Sequence, residues 1–422
     1  MEFFLIIISF FQLFKIIFSQ ITIPFKNNID FSSLTSENFI NKLSNMNITT
    51  YLSIGTPFQT IPFNIKLSNY HLICLSNNSS LGKKFISFEE DKSASFKSID
   101  KEKRYCDLEE TQFCRRGKEI FKISETNIIN NLSFYISYDL EKNQSGILGF
   151  KFSYKFPEYN FINQLKEKNL ILSYLFYFKF KNLYEGEVII GNYPHEIDKN
   201  KYDIIYLKNS RIPQSFINHD YSIQIESIKY GEKEIAKERE FYFDFENYFI
   251  LCSLDFHKVI KEDFFNNLLK EKKCEEKKLR NGIQDVFYYF CDNNIDLSKL
   301  KEIRFKSIDL DFEFNLKPDE LFIKSNNKMF FIIYFMDSYE KRWSFGYYFM
   351  QKYLIIFDQN RKLIIFYNKI KENKIQISFI ISIIFGLIII GLVIYIYNNL
   401  KKKRKIRANE LEENFEYIQQ NN

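Results

Sequence analysis

The chain is poor in the residues that build tight turns, metal sites and cofactor loops. Its 422 residues include 12 glycines, 7 prolines, 4 histidines and one tryptophan. So little Gly and Pro excludes collagen-like and low-complexity classes. There is no Gly-rich phosphate loop, no Gly-x-Ser-x-Gly elbow, no Cys-Gly-x-Cys context and no His-Glu-x-x-His, so nucleotide chemistry, serine or cysteine nucleophiles and zinc peptidase chemistry have no support. The four histidines, His71, His195, His219 and His257, read as packing or surface residues. His71 and Cys74 stand three apart, but no second Cys or His pair lies nearby at ligand spacing, so neither a metal nor a cofactor is implied. The net charge of +6 is modest, and the basic run Lys401 to Arg407 is partly offset by the acids between Glu410 and Glu416. No nucleic-acid footprint results. One local absence matters more than these: no aspartate occurs between Asp30 and Asp91.

What is present describes a folded, secreted or membrane-bound protein. Apolar residues make up 45% of the chain, enough for one large bilobal core or two domains. Phe3 to Phe18 is an apolar run broken only by Ser9, Gln12 and Lys15, the pattern of a signal peptide over residues 1–20. Ile375 to Tyr397 carries no charge and is followed by Lys401-Lys402-Lys403-Arg404-Lys405. That predicts one transmembrane helix over 375–397 with its basic end in the cytosol and a tail of 398–422, a single-pass type I protein of the secretory pathway or cell surface. All six cysteines would then lie in the lumenal or extracellular part, where disulfides form. Close spacing pairs Cys106 with Cys114 and Cys274 with Cys291, and leaves Cys74 and Cys252 unassigned. Sequons occur at Asn47, Asn77, Asn78, Asn131 and Asn143.

Along the lumenal part, Ile54-Gly55-Thr56-Pro57 precedes a strand over 61–67 and the turn residues Ser68-Asn69, after which Leu72 and Ile73 resume a strand. Asn77 to Lys103 reads as exposed loop. Further on come Ser145-Gly146-Ile147-Leu148-Gly149-Phe150, a helical pattern over Phe161 to Ile171, a strand over Leu175 to Phe180, and Glu185-Gly186-Glu187-Val188-Ile189-Ile190-Gly191. A second half begins near Lys201, with Tyr221 to Gly231, then Phe241-Tyr242-Phe243-Asp244-Phe245-Glu246, the strand 303–305 and Trp343-Ser344-Phe345-Gly346-Tyr347. In this order and spacing the elements resemble those of pepsin-like aspartic proteases over residues 49 to 368.

The resemblance implies an all-β, bilobal pepsin-like acid protease fold with a few short helices, to which the C-terminal span is added. Its parts would be a short prosegment remnant or N-terminal arm over 21–48, an N-terminal lobe over 49–200 and a C-terminal lobe over 201–370. In the family each lobe supplies one aspartate in an Asp-Thr-Gly turn. Here Lys66, Leu67 and Ser68 stand at the first turn, and Asp244, Phe245 and Glu246 at the second, so Asp244 alone is retained. Tyr105 is the candidate flap tyrosine, in a region without the family's Tyr-Gly pattern, and Tyr347 replaces a loop aspartate. An ammonium donates hydrogen bonds but accepts none, so Lys66 cannot take the missing carboxylate's part. The expected protein is a pseudoprotease whose interlobe cleft holds an extended peptide. The alternatives are an active atypical aspartic endopeptidase and a structural surface protein without ligand. Lys66 and Asp244 are also expected to form an ion pair between the lobes, with the Asp244 carboxyl held below its usual range.

Overall fold

Strand formation follows the alternation of the sequence. In Ile21–Asn27 the buried positions are Ile21, Ile23, Phe25 and Asn27, and the residues between them reach solvent, the period of two of a strand with one face on a core. Ile48–Ile54 repeats the pattern. Leu72–Leu75 is buried throughout, as befits a strand enclosed on both faces. The computed structural model describes residues 20–29, 46–100, 102, 104–105, 113–140, 144–151, 157–194, 202–209, 221–281, 284–308, 312–325, 328–337, 342–369, 385, 387–392 and 394–403. The architecture over these residues is mostly β, with a few short helices.

Two sheets carry the fold. In the first, the strands run in the order 202–208, 363–369, 354–358, 175–180, 185–190, 21–27, 48–54, 59–66, 146–149, 72–75, 128–137, 113–122 and 97–98. In the second the order is 313–316, 303–307, 222–230, 233–244, 342–346, 250–253, 333–336, 284–292, 328–331 and 322–325. The segment expected as a prosegment remnant contributes an inner strand, Ile21–Asn27, paired with Glu185–Ile190 on one side and Ile48–Ile54 on the other. Strands 202–208, 354–358 and 363–369, which lie beyond residue 200, also belong to the first sheet. The main hydrophobic cluster among the described residues runs from Ile21 to Phe366 and includes residues of both sheets, with two smaller clusters beside it.

Two local readings are corrected. The helix predicted through Ile171 spans only Phe161–Glu167. Asn160 caps its start by accepting a hydrogen bond from the Asn163 amide at 3.0 Å, and Asn169, at φ 56°, takes the left-handed conformation that ends helices. The polar stretch from Asn77 is also more than exposed loop. Phe88 is fully buried, and the buried Glu90 accepts from Ser76 Oγ at 2.9 Å and pairs with Arg115. Polar composition concealed this anchor because a buried carboxylate is tolerated when its hydrogen bonds are satisfied.

Residues 369–422 form a unit of their own. The described residues from 385 to 403 are helical, but no described helix is long and apolar enough to cross a membrane. Residues 375–384 of the expected span lie outside the described residues.

Candidate functional site

The two turns singled out by sequence are held by the same strand arrangement, once in each sheet. Gln59–Lys66 runs parallel to Gly146–Gly149, with Lys66 opposite Gly149. Lys233–Asp244 runs parallel to Arg342–Gly346, with Asp244 opposite Gly346. A further strand then returns antiparallel to each partner, placing Ile73 opposite Ile147 and Leu251 opposite Ser344. The register makes Lys66 and Asp244 equivalent, and with them Leu67 and Phe245, Ser68 and Glu246, Asn69 and Asn247, and Cys74 and Cys252.

The turns close in the same way. The Asn69 side chain accepts from the His71 amide at 2.7 Å, and that of Asn247 accepts from the Phe249 amide at 3.3 Å. The Asn69 and Asn247 carbonyls accept from the Lys151 and Tyr347 amides at 2.9 and 2.7 Å. Each Asx turn thereby ties its loop to the neighbouring strand. Gly149 and Gly346 leave room for this: a Cβ would lie 2.4 Å from the Asn69 carbonyl oxygen in the first case and 2.2 Å from that of Phe249 in the second.

The charges pair differently from the expectation. Lys66 Nζ lies 3.2 Å from Glu246 Oε2, and Ser68 Oγ donates to Glu246 Oε1. Asp244 instead accepts from the Glu246 amide at 3.0 Å through Oδ1. Its carboxyl is pushed up to about 7, mainly by burial and next by the Glu246 charge, while the amides of Glu246 and Asn247 and the Lys66 charge act in the other direction. The expected Lys66–Asp244 pair with a lowered Asp244 is therefore corrected. The reason is reach: Glu246 is one methylene longer and stands on the turn rather than the strand, so its carboxylate crosses to Lys66 while that of Asp244 bends back onto its own turn.

At the positions after Lys66 and Asp244, where the resemblance implies threonines, the packing is apolar. Leu67 is buried. Phe245 stacks on Phe178 with ring centres 3.9 Å apart and meets Phe25 and Tyr347 at 5.7 and 5.3 Å. With Asp244 at one turn, Lys66 paired with Glu246 at the other and no hydroxyl on Leu67 or Phe245, the arrangement can bind and orient a polar group but holds only one carboxyl at the equivalent positions.

The other predicted residues are placed as follows. Tyr105 lies in the short strand Arg104–Tyr105, paired with Phe113 in the next strand, and residues 106–112 between them are outside the described residues. Cys274 and Cys291 are bonded across an antiparallel register pair. Cys114 is disulfide-bonded, and Cys106 lies outside the described residues. Cys74 and Cys252 are buried free thiols, and burial pushes both well up. Of the sequons, Asn78 and Asn131 are exposed and Asn143 is outside the described residues, while Asn47 accepts from the Asn64 side chain at 3.1 Å. His71 is buried between Tyr70 and Tyr135. His257 contacts Glu276 and Tyr289 at 2.7 and 2.8 Å, and its pKa is lowered, chiefly by burial. His195 and His219 are outside the described residues.

A family model described as eukaryotic aspartyl protease matches residues 52–368, both turns included. The chain belongs to this family. No curated protein matches it. As an aspartyl protease family member it carries a lysine where the register of its own second half places an aspartate, a departure visible without any relative for comparison. Sequence reasoning missed Glu246 as the partner of Lys66. The signal that could have found it was its position two residues after Asp244, equivalent to Ser68 in the other turn.

Proposed function

We propose that this protein is a membrane-anchored pseudoprotease that holds an extended peptide in the cleft between its lobes without cutting it. The observation that carries the reading is Lys66 at the position equivalent to Asp244, with its charge compensated by Glu246. Peptide hydrolysis by paired aspartates needs two carboxyl groups sharing a proton, one drawing a proton from water and the other supplying one. Lys66, an ammonium with no lone pair, cannot draw the proton from water, and both oxygens of Glu246 are already engaged by Lys66 and Ser68.

The rise of Asp244 caused in part by Glu246 supports a second reading, an active atypical endopeptidase using these two carboxyls. One assay separates the readings. The full-length protein in detergent is incubated with an unstructured peptide library between about pH 3 and 7, the range in which such carboxyl pairs work. No cleavage is expected. Cleavage abolished by Asp244→Ala would overturn the pseudoprotease reading in favour of the second.

Support for the anchor comes from the uncharged run Ile375 to Tyr397 and the basic cluster after it, which together favour a single-pass type I orientation in the secretory pathway or at the cell surface. Extraction of membranes with alkaline carbonate is expected to leave the chain in the pellet. Release into the supernatant would remove the anchor from the proposal.

A further inference from the structure

Lys66 and Ser68 form a two-donor receptor for a carboxylate, filled by Glu246 from the opposite turn, and we propose that an acidic side chain of a peptide ligand displaces Glu246 from it. The cleft would then select peptides carrying Asp or Glu. This inference rests on reading the cleft as a peptide groove.

The geometry is that of a bound carboxylate. The ammonium and the hydroxyl come from the same turn, two positions apart, and each engages a different oxygen of Glu246, Oε2 at 3.2 Å from Lys66 Nζ and Oε1 accepting from Ser68 Oγ. Charge-assisted hydrogen bonds of this kind are stronger than neutral ones, which favours an anionic over a neutral acceptor. Ser68 and Glu246 hold equivalent places in their turns, so the contact spans the meeting point of the two halves. Displacement is feasible because the pair is not sealed: the Lys66 side chain is 14% exposed and that of Glu246 31%. A released Glu246 carboxylate can be solvated, so no charge is left buried and unpaired. Asp244 completes the site. With its carboxyl pushed up to about 7, it is uncharged in weakly acidic solution and does not repel an incoming anion.

The test uses full-length protein in detergent and two labelled peptides, Ala-Leu-Phe-Asp-Phe-Leu-Ala and its twin with Asn for Asp, at about pH 6, where an ordinary peptide aspartate is ionised. The Asp peptide is expected to bind at least about fivefold more tightly than its twin. Glu246→Gln, isosteric and partly solvent-exposed, removes the internal competitor and is expected to tighten the Asp peptide about tenfold while leaving the twin unchanged. Glu246→Asp, one methylene shorter, should act in the same direction. Adding Lys66→Met to Glu246→Gln should erase the preference. Equal binding of both peptides to wild type and to the Glu246 variants would overturn the inference and leave the groove standing. Failure of both peptides to bind any of these proteins would overturn the inference and the groove together. A loss of thermal stability in Glu246→Gln with no change in peptide preference would make the contact a lobe latch only, and would also refute the inference.

Discussion

Replacing Phe245 with alanine is expected to destabilise the fold by about 3–5 kcal/mol, the range for deleting a fully buried phenylalanine. The ring is inaccessible to solvent. It stacks on Phe178, stands edge-on to Phe25 at 5.7 Å and packs near Phe180 and Tyr347. Phe25 and Phe178 come from the first sheet and Tyr347 from the helix after Gly346, so truncation opens a cavity walled by rigid elements that cannot close around it. Phe245→Thr, which restores the family's residue type, should be nearly as damaging, because the hydroxyl would enter an aromatic cluster. Denaturant unfolding of the full-length protein in detergent measures both. As a control, Tyr51→Ala at a residue 58% exposed should change stability by no more than about 0.5 kcal/mol. A loss below about 1 kcal/mol for Phe245→Ala would show that the cluster does not hold the halves together.

The second large effect depends on pH. Asp244 has its folded pKa raised from 3.8 to about 7. Between those values the folded chain binds a proton that the unfolded chain has released, so stability is full below about 3.8 and declines as pH rises through about 7. Each tenfold difference in proton affinity between the folded and unfolded chain corresponds to about 1.4 kcal/mol. Because part of the Asp244 surface reaches solvent, the total loss should be about 2–4 kcal/mol. Asparagine resembles the neutral acid and can still accept from the Glu246 amide. Asp244→Asn should therefore match wild type near pH 4 and exceed it by that amount near pH 8. The ion pair anticipated from sequence predicts the opposite sign, with wild type losing stability on acidification and Asp244→Asn weaker at neutral pH. Unfolding curves at the two pH values decide between them.

Much of the fold was legible because strands, turns and packing leave local signatures. The alternation in Ile21–Asn27, the Gly-Thr-Pro turn and the Gly-Ile-Leu-Gly strand each identify their own structure. Misreadings arose where a local pattern had a distant cause. The stretch after Asn77 is polar, yet Phe88 and Glu90 are drawn inward by partners elsewhere in the chain. The helix from Phe161 looked longer because apolar periodicity continues past Asn169, whose left-handed backbone ends it. In the site, the presence of a lysine rather than an acid at position 66 could be read directly, since it is a matter of residue identity. Its electrostatic consequence could not.

By itself the sequence determined the β character, the order of the elements, the Cys274–Cys291 pairing and the presence of a lysine at position 66. These follow from periodicity, spacing and residue type, which are properties of short stretches of chain. Only the tertiary structure decided that Lys66 answers to Glu246 rather than Asp244, and that Asp244 is raised rather than lowered. Ser68 and Glu246 are 178 residues apart in the chain, and which carboxylate reaches the lysine depends on where two turns from different sheets come to rest. A difference of one methylene and the direction of a turn settle it, and neither leaves a trace in local sequence pattern.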